Sequence, residues 1–298
     1  MERAYDKQSR LAFVGAGRLG SSLALAAADA GYVIAALSTR RAEQRTWLSA
    51  RFPGTLVTAD PVEAAAAADI VFLSTVDRSV AEVCARVGWR PEQAALHCSG
   101  ALPVAALEPA ARAGAATGGL HPLQTFPSRD AVARIPGATF AVESEVPALA
   151  LWSRQFAKDL GGVPFDLASE HRAAYHASAV LASGLLVPLV GLAAELWGAF
   201  GVPRERALAA LLPLTGASVE ALAKQGLPDA QTGPYVRGDV ATIRKHLEAL
   251  RAAPPDVSRA YTALALACLP LAAEQGGLAE DARREIESLL RETLDRRS

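Results

Sequence analysis

Gly15-Ala16-Gly17-Arg18-Leu19-Gly20 has the spacing G-x-G-x-x-G, directly after the apolar run LAFV and at the start of an Ala/Leu-rich stretch. The first glycine of such a run allows a tight turn, the second lets backbone approach a diphosphate, and the third lets helix pack on strand. Free amides at the helix start then donate to the phosphates. The next apolar run, residues 32–37, ends in Ser38-Thr39-Arg40-Arg41. An acid there would bind the ribose hydroxyls of NAD; two hydroxyls and two guanidinium groups suit a 2′-phosphate, so the expected cofactor is NADP. Ser74-Thr75-Val76, after the run IVFL, is expected to line the same cofactor. Asp77 behind it suits a helix cap as well as it suits catalysis.

Chemistry beside such a cofactor needs a proton donor. His121 stands in Gly119-Leu120-His121-Pro122-Leu123-Gln124-Thr125-Phe126, where an apolar run ends. Its intrinsic pKa suits acid–base work, although a structural histidine beside a proline turn is the alternative. Ser99, in His97-Cys98-Ser99-Gly100, is a candidate donor to substrate, and Cys98 reads as a buried, inert thiol. His176 and Ser183 lie two helical turns apart among small residues and are expected to share a face, toward substrate or within a polar seam. Arg237, in Gly233-Pro234-Tyr235-Val236-Arg237-Gly238-Asp239, is a candidate anchor for an anionic substrate group, or a structural partner of Asp239.

The elements that must position these residues alternate. Strands are expected at 11–16, 32–37, 55–58, 70–74, 94–97, 116–120 and 138–142, with helices between the earlier ones, Asp60 and Pro61 opening one of them. Continuous apolar strands alternating with helices predict a doubly wound parallel sheet. Beyond about Asp166 only helical segments are expected, at 169–200, 204–224, 239–251, 255–274 and 278–297. The fold class is therefore α/β, an N-terminal Rossmann sheet (8–165) followed by an all-α domain for substrate and dimerisation (166–298). The stretch 173–200, broken by Pro188 and carrying His176 and Glu195, reads as a buried bundle helix rather than a membrane span.

The chain of 298 residues is 51% hydrophobic, with a formal net charge of −1. That balance gives no reason to expect nucleic acid or an anionic membrane as partner. Three scattered cysteines form neither a disulfide framework nor a metal site, which points to a reducing, cytoplasmic compartment. The apolar surplus of the helical part suggests a homodimer.

Gly15 to Gly20, His97 to Gly100, Gly119 to Phe126, Tyr175-His176 with Ala182-Ser183, and Gly233-Pro234 with Arg237 to Asp239 together resemble Rossmann-like and DUF2520 domain-containing proteins over nearly the whole chain. That family is similar in architecture to pyrroline-5-carboxylate reductases, deazaflavin-dependent NADP oxidoreductases and ketopantoate reductases. The resemblance implies a helical second domain that often dimerises. His121-Pro122 is similar to the His-Pro motif of prephenate dehydrogenases and matches in position the catalytic histidine of 3-hydroxyacyl-CoA dehydrogenases; Ser99 matches a hydroxyl of the latter. The first helix of the second domain carries no lysine, and Gly184 stands where related hydroxyacid dehydrogenases place Asn, so a lysine acid is not expected. The leading expectation is an NADP(H)-dependent oxidoreductase of a small carbonyl or imine compound. Alternatives are a non-catalytic NADP(H)-binding sensor or assembly protein, and hydride exchange between NADP and a deazaflavin.

Overall fold

A computed structural model describes residues 5–295 and divides the chain into two compact units, residues 1–180 and 181–298. The first opens with Arg10–Val14 (β1), Arg18–Asp29 (α1), Val33–Ser38 (β2), Ala42–Arg51 (α2), Leu56–Thr58 (β3), Pro61–Ala66 (α3), Ile70–Leu73 (β4), Asp77–Arg86 (α4) and Ala94–His97 (β5). Glu108–Arg112 (α5), Ala116–Pro122 (β6), Thr139–Glu143 (β7), Pro147–Asp159 (α6), Val163–Asp166 (β8) and Arg172–Ala179 (α7) complete it. The sheet order is β3-β2-β1-β4-β5-β6-β7-β8, with its reversal between β1 and β4.

Strand alternation explains the two cores. Leu11, Phe13, Leu37, Ile70, Phe72 and Leu96 point to one face, where they meet α1 and α6. Phe13 stacks on Phe72 with ring centroids 4.6 Å apart. Ala12, Val14, Ala36, Val71, Leu73 and Ala95 point to the other face, against α3 and α4. Asp60 caps α3 by accepting from the Val62 amide at 2.9 Å, as its sequence predicts.

The sheet departs from the expectation at its far edge. β7 runs antiparallel to β6, because the chain returns from β6 without a crossover helix. α6 then carries it back to β8, parallel to β7. β8 has little sequence signal: it is an edge strand of four residues, contains Pro164, and leaves Val163 and Phe165 exposed.

The second unit contains Leu186–Glu195 (α8), Arg204–Gln225 (α9), Val240–Ala249 (α10), Pro255–Glu274 (α11) and Glu280–Asp295 (α12). Its core joins Ile243, Leu247, Ala265, Leu269, Ile286 and Leu290. Asp239 caps α10 through the Thr242 amide at 3.0 Å. The stretch expected to be a buried bundle helix is not buried: Leu181 is 67% and Val187 75% exposed. Helical residues 169–200 and 204–225 are long and apolar enough to cross a membrane by length and composition alone, and few of their residues are covered.

Candidate functional site

The glycine turn is built as its spacing demands. Gly15 has φ of +89°, and a side chain there would lie 2.7 Å from the Thr75 backbone nitrogen. At Gly20 a side chain would run into the Ser74 hydroxyl, so α1 approaches the end of β4 this closely because the residue is glycine. Gly17 faces open space, with nothing nearer than 3.7 Å to where a side chain would begin. The Gly15 and Ala16 amides are spent on the Ser38 carbonyl, at 3.0 and 2.8 Å. The first-turn amides of Arg18, Leu19 and Gly20 have no acceptor within the helix and remain for a ligand.

At the end of β2 the expected residues divide. Ser38 contributes its carbonyl while its side chain is buried, so it stiffens the turn instead of offering a hydroxyl. Arg18, Arg40 and Arg41 are exposed and have no acidic partner among the described residues. The Thr75 hydroxyl is buried with no hydrogen-bond partner among them, and Val76 is exposed. Sequence reasoning missed Gln44, whose amide donates to the Ala16 carbonyl at 3.1 Å and to Ser21 at 2.9 Å, fixing the turn from α2. An orphaned hydroxyl, an open glycine and unpaired guanidiniums fit the phosphates of a dinucleotide.

At the same carboxyl edge, three strands away, lies a histidine cluster. His121 is in β6; its Nδ1 is 2.8 Å from the Tyr175 hydroxyl of α7. The His121 and His176 rings are edge to face, centroids 6.2 Å apart. A side chain at Gly100 would lie 2.7 Å from His176 Nδ1 and 3.0 Å from His121 Nε2, so both imidazoles pack closely on a backbone that only glycine allows. Beneath them Arg172, 1% exposed, pairs with Glu143 of β7 and donates to the Ser99 carbonyl at 2.8 Å. Gly119 has no side chain because the guanidinium fills that place.

These surroundings hold the His121 and His97 imidazoles neutral. Burial, then the charges of His176 and Arg172, pushes His121 down to about 4. Burial and Arg172 push His97, under the same guanidinium, down to about 3. Burial pushes the Tyr175 phenol up to about 12, and the Cys98 thiol likewise, which leaves that thiol inert.

Ser99 is engaged elsewhere than the sequence suggests. Its hydroxyl donates to Asp77 at 2.7 Å and accepts from the Ala101 and Leu102 amides at 3.1 and 3.0 Å. Asp77 accordingly does not cap α4, which begins behind Val76 without a side-chain cap. Ser183 and Arg237 belong to the second unit. Ser183 lies in the π-helical turn Val180–Gly184, where the straight-helix spacing that would align it with His176 does not hold. Arg237 is exposed, and Asp239 spends both oxygens on Thr242.

Residues 3–122 match the Rossmann-like domain family, and residues 138–268 match the domain of unknown function DUF2520. The chain is a Rossmann-like and DUF2520 domain-containing protein. No curated protein matches it. Among solved structures it is similar to a Bacteroides fragilis protein described as a proposed NADP oxidoreductase, at 26% identity and TM-score 0.72, over 89% of this chain and 99% of that one. It shares its fold with 1-pyrroline-5-carboxylate reductase of Streptococcus pyogenes, at 13% identity and TM-score 0.57, over 97% and 100% of the chains. The same holds for a reductive aminase of Aspergillus terreus in complex with NADPH and ethyl-5-oxohexanoate, at 15% identity and TM-score 0.56, over 97% and 94%.

Proposed function

We propose that this protein is an NADP(H)-dependent oxidoreductase acting on a small carbonyl or imine compound. The observation that carries the reading is the shared edge: the glycine turn after β1 and the His121–Tyr175 pair at β6 both lie at the carboxyl ends of parallel strands, where ligands of open α/β sheets bind. The Bacteroides fragilis neighbour, described as an NADP oxidoreductase, supports the same cofactor.

The first-turn amides of Arg18, Leu19 and Gly20 hold the diphosphate, and Arg40 and Arg41, with Thr39, hold the 2′-phosphate. When bound, the nicotinamide supplies or accepts a hydride. His121 then hydrogen-bonds the reacting group, with Tyr175 behind it, and His176 orients the substrate. Ser99 holds the loop at Gly100 in place through Asp77. Arg237 and Ser183, on the helical unit, are assigned to substrate anchoring by their motifs. A second copy of the chain covers the apolar faces of α8 and α9, and the free thiols suit a reducing cytoplasm.

Calorimetry with NADPH and NADH tests the cofactor. NADPH is expected to bind at least about tenfold more tightly, from charge-assisted bonds to the extra phosphate, and Arg40→Ala with Arg41→Ala should erase that preference. Equal affinity for the two would defeat the assignment of the arginines. His121→Asn should lower turnover while leaving the NADPH affinity unchanged.

A further inference from the structure

We infer that Arg45 sets the preference for a phosphorylated dinucleotide by positioning the loop between β2 and α2, an inference that rests on the NADP(H) reading and deepens it. Arg45 follows Gln44 on the first turn of α2, and its guanidinium reaches back to backbone carbonyls of that loop.

Arg45 Nη1 donates to the Thr39 carbonyl at 3.0 Å and to the Arg40 carbonyl at 2.8 Å. The carbonyls on either side are taken as well. That of Ser38 accepts the Gly15 and Ala16 amides, and that of Arg41 accepts the Arg45 amide at 3.1 Å, as the helix begins. Thr39 is also fixed from β3, because its amide donates to the Thr58 carbonyl at 3.1 Å. Every carbonyl from Ser38 to Arg41 therefore has a donor. Those of Thr39 and Arg40 have theirs, among the described residues, from the Arg45 side chain alone.

With its acceptors occupied, the loop presents mainly donors. In a trans peptide the N–H points opposite to the C=O, so carbonyls turned toward Arg45 turn the Arg40 and Arg41 amides away from it. The Arg40 amide has no partner among the described residues, and the Arg41 amide has a long contact, 3.5 Å, with the Thr39 hydroxyl. α2 starts without a side-chain cap, so its first amides add to the set. The side chains of Arg40 and Arg41 are exposed and bring two positive charges. Successive free amides beside guanidinium groups suit an anion. The free ribose hydroxyls of NADH would look for a carboxylate at this strand end. The one acid from Ser38 to Thr46 is Glu43, and it pairs with Arg129 at 3.3 Å.

Gln44 and Arg45 divide the work of one helical turn. The Gln44 amide holds the glycine turn through the Ala16 carbonyl and Ser21, and that turn meets the diphosphate, which NADH and NADPH share. Arg45 holds the loop that meets the phosphate NADPH alone carries. A loop fixed before its ligand arrives loses less freedom on binding. The benefit of Arg45 therefore falls on NADPH, whereas that of Gln44 falls on both dinucleotides. Arg45 is a positioning residue, acting on the phosphate through the backbone that carries Thr39, Arg40 and Arg41.

Calorimetry of the full chain with NADPH and with NADH, in the wild type, Arg45→Met and Gln44→Met, separates the two roles. Arg45→Met is expected to raise the NADPH Kd at least about tenfold, the scale of one charge-assisted bond, and to leave the NADH Kd within about twofold. Gln44→Met should weaken both dinucleotides alike. If Arg45→Met weakens both equally, or neither, the inference is overturned. Hydrogen exchange of the unliganded chain then tells positioning from direct contact with the phosphate. The Thr39 amide, protected by its bond to Thr58, should exchange at least about tenfold faster in Arg45→Met, as the loop opens locally. Unchanged exchange together with a lost NADPH preference would make Arg45 a direct phosphate ligand and overturn the positioning role. A wild-type chain that binds neither dinucleotide defeats the oxidoreductase reading itself, a separate result.

Discussion

The sheet unit and the helical unit treat water in opposite ways. In the first, β4 and β5 are wholly buried, and even a guanidinium is sealed in: Arg172 is 1% exposed, with Glu143 and the Ser99 carbonyl as partners. In the second, α8 and α9 leave Val187 and Leu214 in solvent, 75% and 64% exposed, although those helices are among the most apolar in the chain. The sheet unit therefore keeps water from its buried strands and from the Arg172 guanidinium by itself. The helical unit, within one copy, does not cover its own apolar faces, which argues that something else must.

The largest effect expected on the sealed side comes from Arg172→Met. It leaves Glu143 half-buried without its counter-charge and frees the Ser99 carbonyl, at a cost of about 3–5 kcal/mol in urea-monitored stability. Adding Glu143→Gln should recover part of that loss, because an amide tolerates burial better than a carboxylate. If Arg172→Met alone costs less than 1 kcal/mol, the guanidinium is not what closes this end of the sheet.

Arg172 also shows how far sequence reading reaches. The glycine turn was legible because three glycines at fixed spacing encode one backbone shape, and His121 because an apolar run ends at it. The caps at Asp60 and Asp239 were legible for the same local reason. Arg172 was not: its partners come from the loop after β5 and from β7, 73 and 29 residues away, and no spacing encodes such a meeting. Tyr175 carried a signal, its place beside His176, yet its role depends on a contact 54 residues away. Ser99 was read as facing substrate because its bond to Asp77, at the start of α4, spans 22 residues. The exposure of residues 173–200 was misread since an apolar helix buried in its own chain and one awaiting a partner have the same composition.

On the open side, Val187→Glu with Leu214→Glu places charges on the two exposed apolar faces. If a second copy covers those faces, light scattering should show a dimer for the wild type and a monomer for the variant, with the far-ultraviolet spectrum unchanged. A monomeric wild type would break the comparison, leaving the apolar faces to a different occupant.

A smaller effect follows from the neutral imidazoles of the sealed unit. The folded chain holds His97 at about 3 and His121 at about 4, below the ordinary 6.5, chiefly through burial. A base with a depressed folded pKa stabilises the fold fully above its unfolded value and loses that contribution as pH falls toward the folded one. Thermal stability should therefore decline between about pH 6.5 and 4. His97→Gln should flatten that decline, and an unchanged slope would mean that His97 titrates alike in both states.

The smallest effect can show whether the units melt as separate bodies. Asp60 caps α3 in the sheet unit and Asp239 caps α10 in the helical unit by the same chemistry, a carboxylate accepting a first-turn amide. Asp60→Ala should cost about 1 kcal/mol, a shift of a few degrees. If calorimetry resolves two transitions, each substitution should move its own and leave the other within error. A single transition moved by both would mean that the two units unfold together. The helical unit would then owe its stability to the sheet as well as to whatever covers α8 and α9, and Val187→Glu with Leu214→Glu should lower the one shared transition when it dissociates the dimer.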